Sequence, residues 1–309
     1  MTVTIAPVLD IMLPHYGELT LLKIAVESIM AQTDERWRLT VFDDNPADRQ
    51  TGIAEYFAAL GDPRVQYRRN PQNLGITRNF QQCVDQASAP FMMIMGCDDV
   101  LLPRYVERVH ALVEAHPEAT LVQPGVEVVG PDGTHVRTLA DATKRRVYAP
   151  KFAGTITMTG EDLAVSLLRG NWLYFPSLAW RTTEIQAVGF DQKLKVIQDL
   201  KLILELVRRG GTLVADDQVV FQYRRHGASL SASSAVTGNR FSEARAFFLA
   251  AAKRMDEHGW PRAAKAARWH LSSRIHALTM LPAAAKQRSG GSVRVLTRYA
   301  FGQGPIAGG

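Results

Sequence analysis

The chain has 309 residues, 46% of them hydrophobic and 21% charged, with a formal net charge of +6; this suits one large α/β domain with an appendage, or two small domains, and excludes a disordered chain. No apolar run reaches the roughly 18 to 20 residues that span a bilayer, and MTVTIAPVLD lacks the basic start of a secretion signal, so a cytoplasmic location is expected. Two cysteines, Cys83 and Cys97, are too few for a disulfide framework and fit no zinc spacing.

Val8 to Leu13 is a short apolar strand that stops at Pro14-His15-Tyr16-Gly17, after which Leu22, Ala25, Val26 and Ile29 recur at helical spacing. Trp37 to Phe42 predicts a second strand, ending in Asp43-Asp44-Asn45-Pro46, with a helix through Ala54, Phe57 and Leu60 behind it. Alternation points Asp43 away from Asp44 and gives it a structural role. Val65 to Tyr67 is a third strand, followed by the turn-rich RRNPQNLG and a helix from Ile76 to Ala87. Phe91 to Met95 is a fourth, apolar on both faces, and it stops at Asp98 and Asp99 before Pro103 opens a helix to Ala115.

Strands alternating with helices and joined by short loops predict a Rossmann-like, mostly parallel central sheet flanked by helices. The strand ends at Pro14, Asp44 and Asp98 then share one edge, where an open α/β sheet binds its ligand. Adjacent carboxylates there suit Mg²⁺ or Mn²⁺ carrying a diphosphate. The alternative is Asp98 as a helix cap with Asp99 solvated beside it.

Beyond Ala115 the pattern changes. Thr120 to Val129, the turn Gly130-Pro131-Asp132-Gly133 and Thr134 to Thr138 predict a β-hairpin, hence a small antiparallel part. Ala140 to Thr157 is aperiodic and carries Lys144, Arg145, Arg146 and Lys151, either a loop closing over a diphosphate through Arg145 and Arg146 or a solvated one. Thr159 with Asp162 three residues on resembles a capping box for a helix to Arg169. In the cluster Asn171-Trp172-Leu173-Tyr174-Phe175-Pro176, Asn171, Trp172 and Tyr174 are candidate acceptor contacts, the aromatics being either a stacking surface or core. A strand follows at Ser177 to Trp180, then an amphipathic helix at Asp199 to Arg209.

Phe241 to Leu281 is mostly helical, with Trp260, Ala264, Ala267, Leu271, Ile275 and Leu278 on one stripe, and a frayed Gly-rich tail is expected after Ser289. From Lys253 onward ten Lys/Arg face two acids, +8. That excess is read as peripheral contact with an anionic membrane, as helix pairing in a homodimer, or as a solvated face. No nucleic-acid reading motif accompanies it, so nucleic acid is not expected as a partner.

Seven stretches in order, DIMLPHYGE, AVESIMAQT, VFDDN, RNPQNLGITRN, CDDVLLP, VGFDQKLKVIQDLKL and YRRHGASLS, make residues 8–232 resemble the inverting family two glycosyltransferases of GT-A fold. The resemblance implies a GT-A domain over 1–235, with a nucleotide-sugar half over 1–115 and an acceptor half over 116–235; the C-terminal helical extension over 236–309 lies outside it and rests on the helical pattern. It implies that Pro14, His15 and Tyr16 wall the nucleotide site, that Asp44 bonds the base, and that Arg78 contacts base or diphosphate. Asp98 and Asp99 would hold ribose and a divalent metal, Mn²⁺ or Mg²⁺, with His226 reaching metal or diphosphate and Asp199 as catalytic base. The implied reaction is direct displacement from a nucleoside-diphosphate sugar, UDP favoured, onto a hydroxyl of a glycan, glycolipid or small-molecule acceptor. The implied setting is cell-envelope polysaccharide, glycolipid or other glycoconjugate synthesis; docking at the inner face of the plasma membrane is a reading of the +8 C-terminal segment and not of the resemblance.

The chain departs from the family pattern twice. Gly96-Cys97-Asp98-Asp99 stands where many members have Asp-x-Asp-Asp, and Gln198 stands where Glu normally precedes the base, which bears on acceptor class. A noncatalytic nucleotide-sugar-binding protein would need no Asp199. A nucleotidyltransferase would share the sheet and metal, but no Gly-rich phosphate loop lies near the N-terminus.

Overall fold

The computed structural model of the protein describes residues 9–46, 48–49, 52–136, 147–194, 196–225, 239–286 and 290–302. Its first half follows the predicted alternation: β1 (Leu9–His15), α1 (Leu19–Met30), β2 (Trp37–Asp43), α2 (Ile53–Leu60), β3 (Val65–Arg69), α3 (Ile76–Gln86) and β4 (Phe91–Ile94). β1 to β4 pair with one another in parallel, in the order β3-β2-β1-β4. After the acidic turn come β5 (Val100–Leu101), α4 (Tyr105–Ala115), β6 (Ala119–Val129), β7 (Thr155–Met158), α5 (Gly160–Arg169), β8 (Ala179–Arg181), α6 (Thr182–Val188), α7 (Gln198–Arg208) and β9 (Thr212–Arg224). They extend the same sheet as β4-β8-β6-β9-β5, with β8 antiparallel to both neighbours, β6 parallel to β9, and β7 also paired with β9.

The strand period of two splits the apolar side chains between the faces of the sheet. Leu9, Ile11 and Leu13 of β1, with Phe91 and Met93 of β4, pack with α1 and α4 on one side, whereas Met12, Met92 and Ile94 pack with α3, α5 and α7 on the other. Strands covered on both faces explain the unbroken apolar runs. The α/β class, the mostly parallel sheet and the C-terminal helices are as expected.

Several details differ from the sequence reading. The residues after β6 form a tight turn, Gly133 N–H to Gly130 O at 3.0 Å, and regain only an isolated bridge between Val129 and His135. β6 finds its partners in β8 and β9 instead, because a long connection brings β9 back alongside it. No strand was expected over 212–224. The helix after Pro103 begins at Tyr105, and β5 intervenes between the acidic turn and that helix.

Thr159 makes no side-chain cap for α5. The nearby Glu161 instead accepts the N–H groups of Arg262 (2.6 Å) and Ala263 (3.1 Å) at the start of a C-terminal helix. Among the described residues that region holds four helices, α8 (Asn239–Glu257), α9 (Pro261–Trp269), α10 (Leu271–Lys286) and α11 (Gly290–Phe301), the last lying where a frayed tail was expected. His270, with φ 31°, separates α9 from α10, so the anticipated stripe is not continuous: Ala264 and Ala267 are buried while Leu271 and Ile275 are exposed.

Candidate active site

β1 and β2 end side by side, His15 in register with Asp43. Asp43 is fully buried and accepts from Asn45 N (3.0 Å), Asn45 Nδ2 (2.7 Å) and Tyr67 Oη (2.7 Å), the structural role expected of it. Asn45 in turn clasps Gly17, accepting its N–H at 3.0 Å and donating to its carbonyl at 3.1 Å. Gly17 adopts φ 136°, a conformation open to a residue without Cβ. His15 Nε2 lies 3.2 Å from Gly17 O, and a carbonyl only accepts, so the proton sits on Nε2. Nδ1 is left as a buried acceptor with no partner among the described residues. Burial lowers the His15 pKa below 6.5, keeping the ring neutral at pH 7. Pro14 is half-buried beside it, and Tyr16 is 59% exposed with the Arg49 guanidinium 5.8 Å from its ring.

Asp44 is buried under the turn that precedes α3. Its Oδ1 accepts from Leu74 N (2.7 Å) and Asn70 Nδ2 (2.9 Å), its Oδ2 from Gly75 N (2.9 Å), and its carbonyl from Asn73 Nδ2 (2.8 Å). The carboxylate thereby staples the RNPQNLG turn. Arg78, in the first turn of α3, is exposed and forms no ion pair among the described residues.

The acidic turn closes through Asp99 N–H to Gly96 O at 3.3 Å. A Cβ built on Gly96 would stand 2.4 Å from Asp99 Oδ2 and 3.0 Å from Asp98 Oδ1, so both carboxylates crowd the space that an acid at position 96 would need. Asp99 is 1% exposed; its Oδ1 accepts the Arg224 N–H at 2.8 Å. Arg224, at the end of β9, donates through Nε to Asp98 O (2.8 Å) and through Nη1 to Gly130 O (3.2 Å) and Pro131 O (3.1 Å). Burial, then the negative charge of Asp98, pushes the Asp99 carboxyl well above the usual range. Two converging carboxylates, one removed from water, fit a divalent cation, whose charge would offset that burial. Among the described residues no cluster of three or more His, Cys, Asp or Glu gathers around an ion site. Cys97 beside the pair is held as a thiol, pushed up to about 12 by burial and then by Asp98 and Asp99.

Asp199 lies in the first turn of α7, where its Oδ2 accepts from Asn171 Nδ2 at 3.3 Å. The chain from Asn171 leads back to the acidic turn: Tyr174 packs against Tyr223 with centroids 5.3 Å apart, and Tyr223 precedes Arg224. Trp172 and Tyr174 are core rather than a stacking surface, since both rings are buried by apolar neighbours and Trp172 Nε1 is satisfied by Ser166 Oγ at 3.0 Å. Gln198 is buried too, its Oε1 without a partner among the described residues, so it does not present its amide at the surface. Arg145, Arg146 and His226 lie outside the described residues.

The edge thus brings Pro14, His15, Tyr16, Asp44, Asp98 and Asp99 together. Arg224 was missed by the sequence reading, although it sits in the YRRHGASLS stretch; its contacts join segments that only the fold brings together.

A family model described as glycosyl transferase family 2 matches residues 10–173, more than half of the chain. The chain belongs to glycosyl transferase family 2. It is similar to EpsE of Bacillus subtilis (strain 168), 28% identical over 138 residues, which are 43% of this chain and 50% of EpsE. It is also similar to the succinoglycan biosynthesis protein ExoO of Rhizobium meliloti (strain 1021), 24% identical over 208 residues, 67% of this chain and 58% of ExoO. The matches thus span about half the length of these relatives. Among solved structures, S. aureus TarS 1-349 in complex with UDP-GlcNAc superposes with a TM-score of 0.58 at 12% identity, covering 96% of this chain and 92% of that one. The chain therefore shares the fold of TarS.

Proposed function

We propose that this glycosyltransferase moves a sugar from a nucleoside-diphosphate sugar, UDP favoured, to an acceptor hydroxyl with inversion at the anomeric carbon. The observation that carries this reading is the convergence of Asp98 and Asp99 on Gly96 at the sheet edge that also holds His15 and Asp44. UDP is supported by TarS, whose structures hold UDP-GlcNAc and UDP.

In this reading His15 and Tyr16 flank the nucleotide, with the neutral His15 Nδ1 ready to accept a hydrogen bond, while Asp44 holds the turn that aims Arg78. Asp98 and Asp99 would hold Mn²⁺ or Mg²⁺, which when bound supplies charge neutralisation to the departing diphosphate. Asp199, oriented by Asn171, takes the proton from the acceptor hydroxyl as its oxygen bonds to the anomeric carbon and the bond to the diphosphate breaks. Direct displacement of this kind inverts the anomeric configuration.

The printed name of ExoO supports polysaccharide or glycoconjugate synthesis as the setting. Contact with an anionic membrane is supported by Trp269, Leu271, Ile275 and Phe301, exposed beside Arg268 and Arg274. Arg274 Nη2 lies 3.4 Å from Gly302 O, which places the end of α11 against the start of α10. No helix among the described residues is long and apolar enough to cross a membrane.

A thermal-shift panel of UDP, GDP, dTDP and CMP with and without Mn²⁺ tests the donor reading. Stabilisation by one diphosphate that requires Mn²⁺ and is lost in Asp99→Ala is the expected result. No shift with any nucleotide would overturn it.

A further inference from the structure

The helix that carries Asp199 starts without a cap of its own. Ile197 occupies the N-cap position of α7, and an aliphatic side chain accepts no hydrogen bond, so the exposed N–H groups at this end must find an acceptor elsewhere. For the two N–H groups just ahead of the first helical residue, Gln198, that acceptor comes from the C-terminal helices. Glu243 of α8 directs Oε1 to the N–H of Val196 at 2.9 Å and of Ile197 at 3.4 Å. A carboxylate at a helix N-terminus also faces the positive end of the helix dipole, so its charge reinforces both bonds.

The packing around this contact makes it matter. α7 and α8 do not close on each other along their length: a cavity of about 400 Å³ lies between them, lined by Leu204, Phe247, Ala251 and Met255 and reaching Glu243. The two helices are also linked at the far end of the cavity, where Arg254 of α8 lies 3.9 Å from Glu205 of α7. The loop ahead of α7 has a second tether from the nucleotide half, Thr77 Oγ1 donating to Leu194 O at 3.2 Å. Asp199 follows Ile197 by two residues, so the N–H groups that Glu243 holds set the direction in which α7 begins.

We infer that Glu243 is a positioning residue for Asp199: the C-terminal helical extension fixes the start of the base-bearing helix through the Glu243 carboxylate. This rests on the reading of Asp199 as the base. Glu243 touches neither donor nor acceptor in it and acts through the backbone of Val196 and Ile197. The matching cap in the other direction, Glu161 of α5 on the first turn of α9, holds the extension on the sheet domain independently. Losing Glu243 should therefore loosen α7 without detaching the extension.

The test compares full-length wild type, Glu243→Ala, Glu243→Gln and Asp199→Asn by hydrogen–deuterium exchange, by binding of UDP with Mn²⁺, and by turnover of the uridine sugar nucleotide that wild type uses best. Glu243→Ala is expected to speed exchange at the start of α7 about tenfold while β1 and β4 keep wild-type protection. It should lower kcat about tenfold at unchanged donor KM and unchanged UDP affinity. Glu243→Gln retains an acceptor oxygen and should restore both protection and kcat to within about twofold of wild type. Wild-type exchange at α7 in Glu243→Ala, or faster exchange with unaltered kcat, would overturn the inference. Full turnover by Asp199→Asn would instead sink the assignment of the base, and the exchange data would still report whether Glu243 holds α7.

Discussion

The main-chain N–H of Arg224 donates to Asp99 Oδ1 at 2.8 Å while the same residue's Nε reaches the carbonyl of Asp98, also at 2.8 Å. One residue at the end of the last strand thus fixes both members of the acidic pair, one through its carboxylate and one through its backbone. Arg224→Ala removes a buried guanidinium and takes a donor from the carbonyls of Asp98 and Pro131, while Gly130 O keeps the Gly133 N–H, so a loss of about 2 to 4 kcal/mol is expected in chemical denaturation. Arg224→Lys should recover only part of it, because an ammonium does not reproduce the planar fork. Equal stability of Arg224→Ala and wild type would refute this account.

Asp99→Asn tests the pair differently. The amide keeps an oxygen for the Arg224 N–H and removes a charge that burial and Asp98 both disfavour. The metal-free variant should therefore melt at or above the wild-type temperature, yet lose stabilisation by Mn²⁺ with UDP and at least about a hundredfold in kcat. A variant that melts lower without metal would show that the Asp99 carboxylate stabilises the fold.

Asp44→Ala should be costly for reasons of backbone geometry. Leu74 and Gly75 would lose their acceptor, and a turn whose N–H groups have none opens at a cost of about 2 to 3 kcal/mol. Because this turn leads into α3, donor KM should rise. Calorimetry and initial-rate kinetics on the one variant report the two effects separately.

The lower-numbered strands were readable because they obey one rule: an apolar run, a polar stop and a helix with a single buried face. β9 was not, since Asp216 and Asp217 interrupt its apolar pattern. Asp216 is buried there because Arg108 reaches it through Nε at 2.9 Å and Nη2 at 2.5 Å, with Thr155 Oγ1 adding a bond at 3.0 Å. A pattern of side-chain polarity cannot reveal a carboxylate neutralised by a residue more than a hundred positions away. For the same reason the acidic pair was legible and its support was not. Asp98 and Asp99 are neighbours in sequence, whereas Arg224 reaches them across the fold. Trp172 and Tyr174 illustrate the opposite limit, since an aromatic cluster reads alike whether it faces a sugar or a core.

Acidification should loosen the C-terminal helices through His270. Its ring stacks on Phe248 with centroids 5.2 Å apart, and Nδ1 donates to Ala267 O at 3.1 Å. Burial, then the positive charges of Arg274 and Arg245, holds its pKa below 6.5. With the folded value depressed, the stabilisation is complete above the unfolded value and fades as the pH falls through the folded one. Denaturation midpoints at about pH 7.5 and about pH 5.5 should differ in wild type and differ less in His270→Asn, which also tolerates the left-handed backbone. A pH response unchanged by the substitution would rule His270 out.

Membrane contact is tested by replacing Trp269, Leu271, Ile275 and Phe301 together with Ser. Partition to vesicles of anionic lipid should fall at least about tenfold, with little effect on neutral vesicles in either protein. If sedimentation shows a dimer that the replacement dissociates while vesicle binding is unaltered, the exposed side chains serve pairing of two copies instead.

The single continuous sheet has a consequence for exchanging parts between relatives. β8 lies between β4 and β6, with Met92 opposite Trp180 and Trp180 opposite Leu121, so the segments before and after residue 115 meet along a shared seam of backbone hydrogen bonds. A chimaera joined near residue 115 would have to match strand register, side-chain volume and twist along that seam at once. Grafts confined to the turns at the sheet edge leave the seam intact, and that is where donor or acceptor preference can drift while the scaffold stays the same.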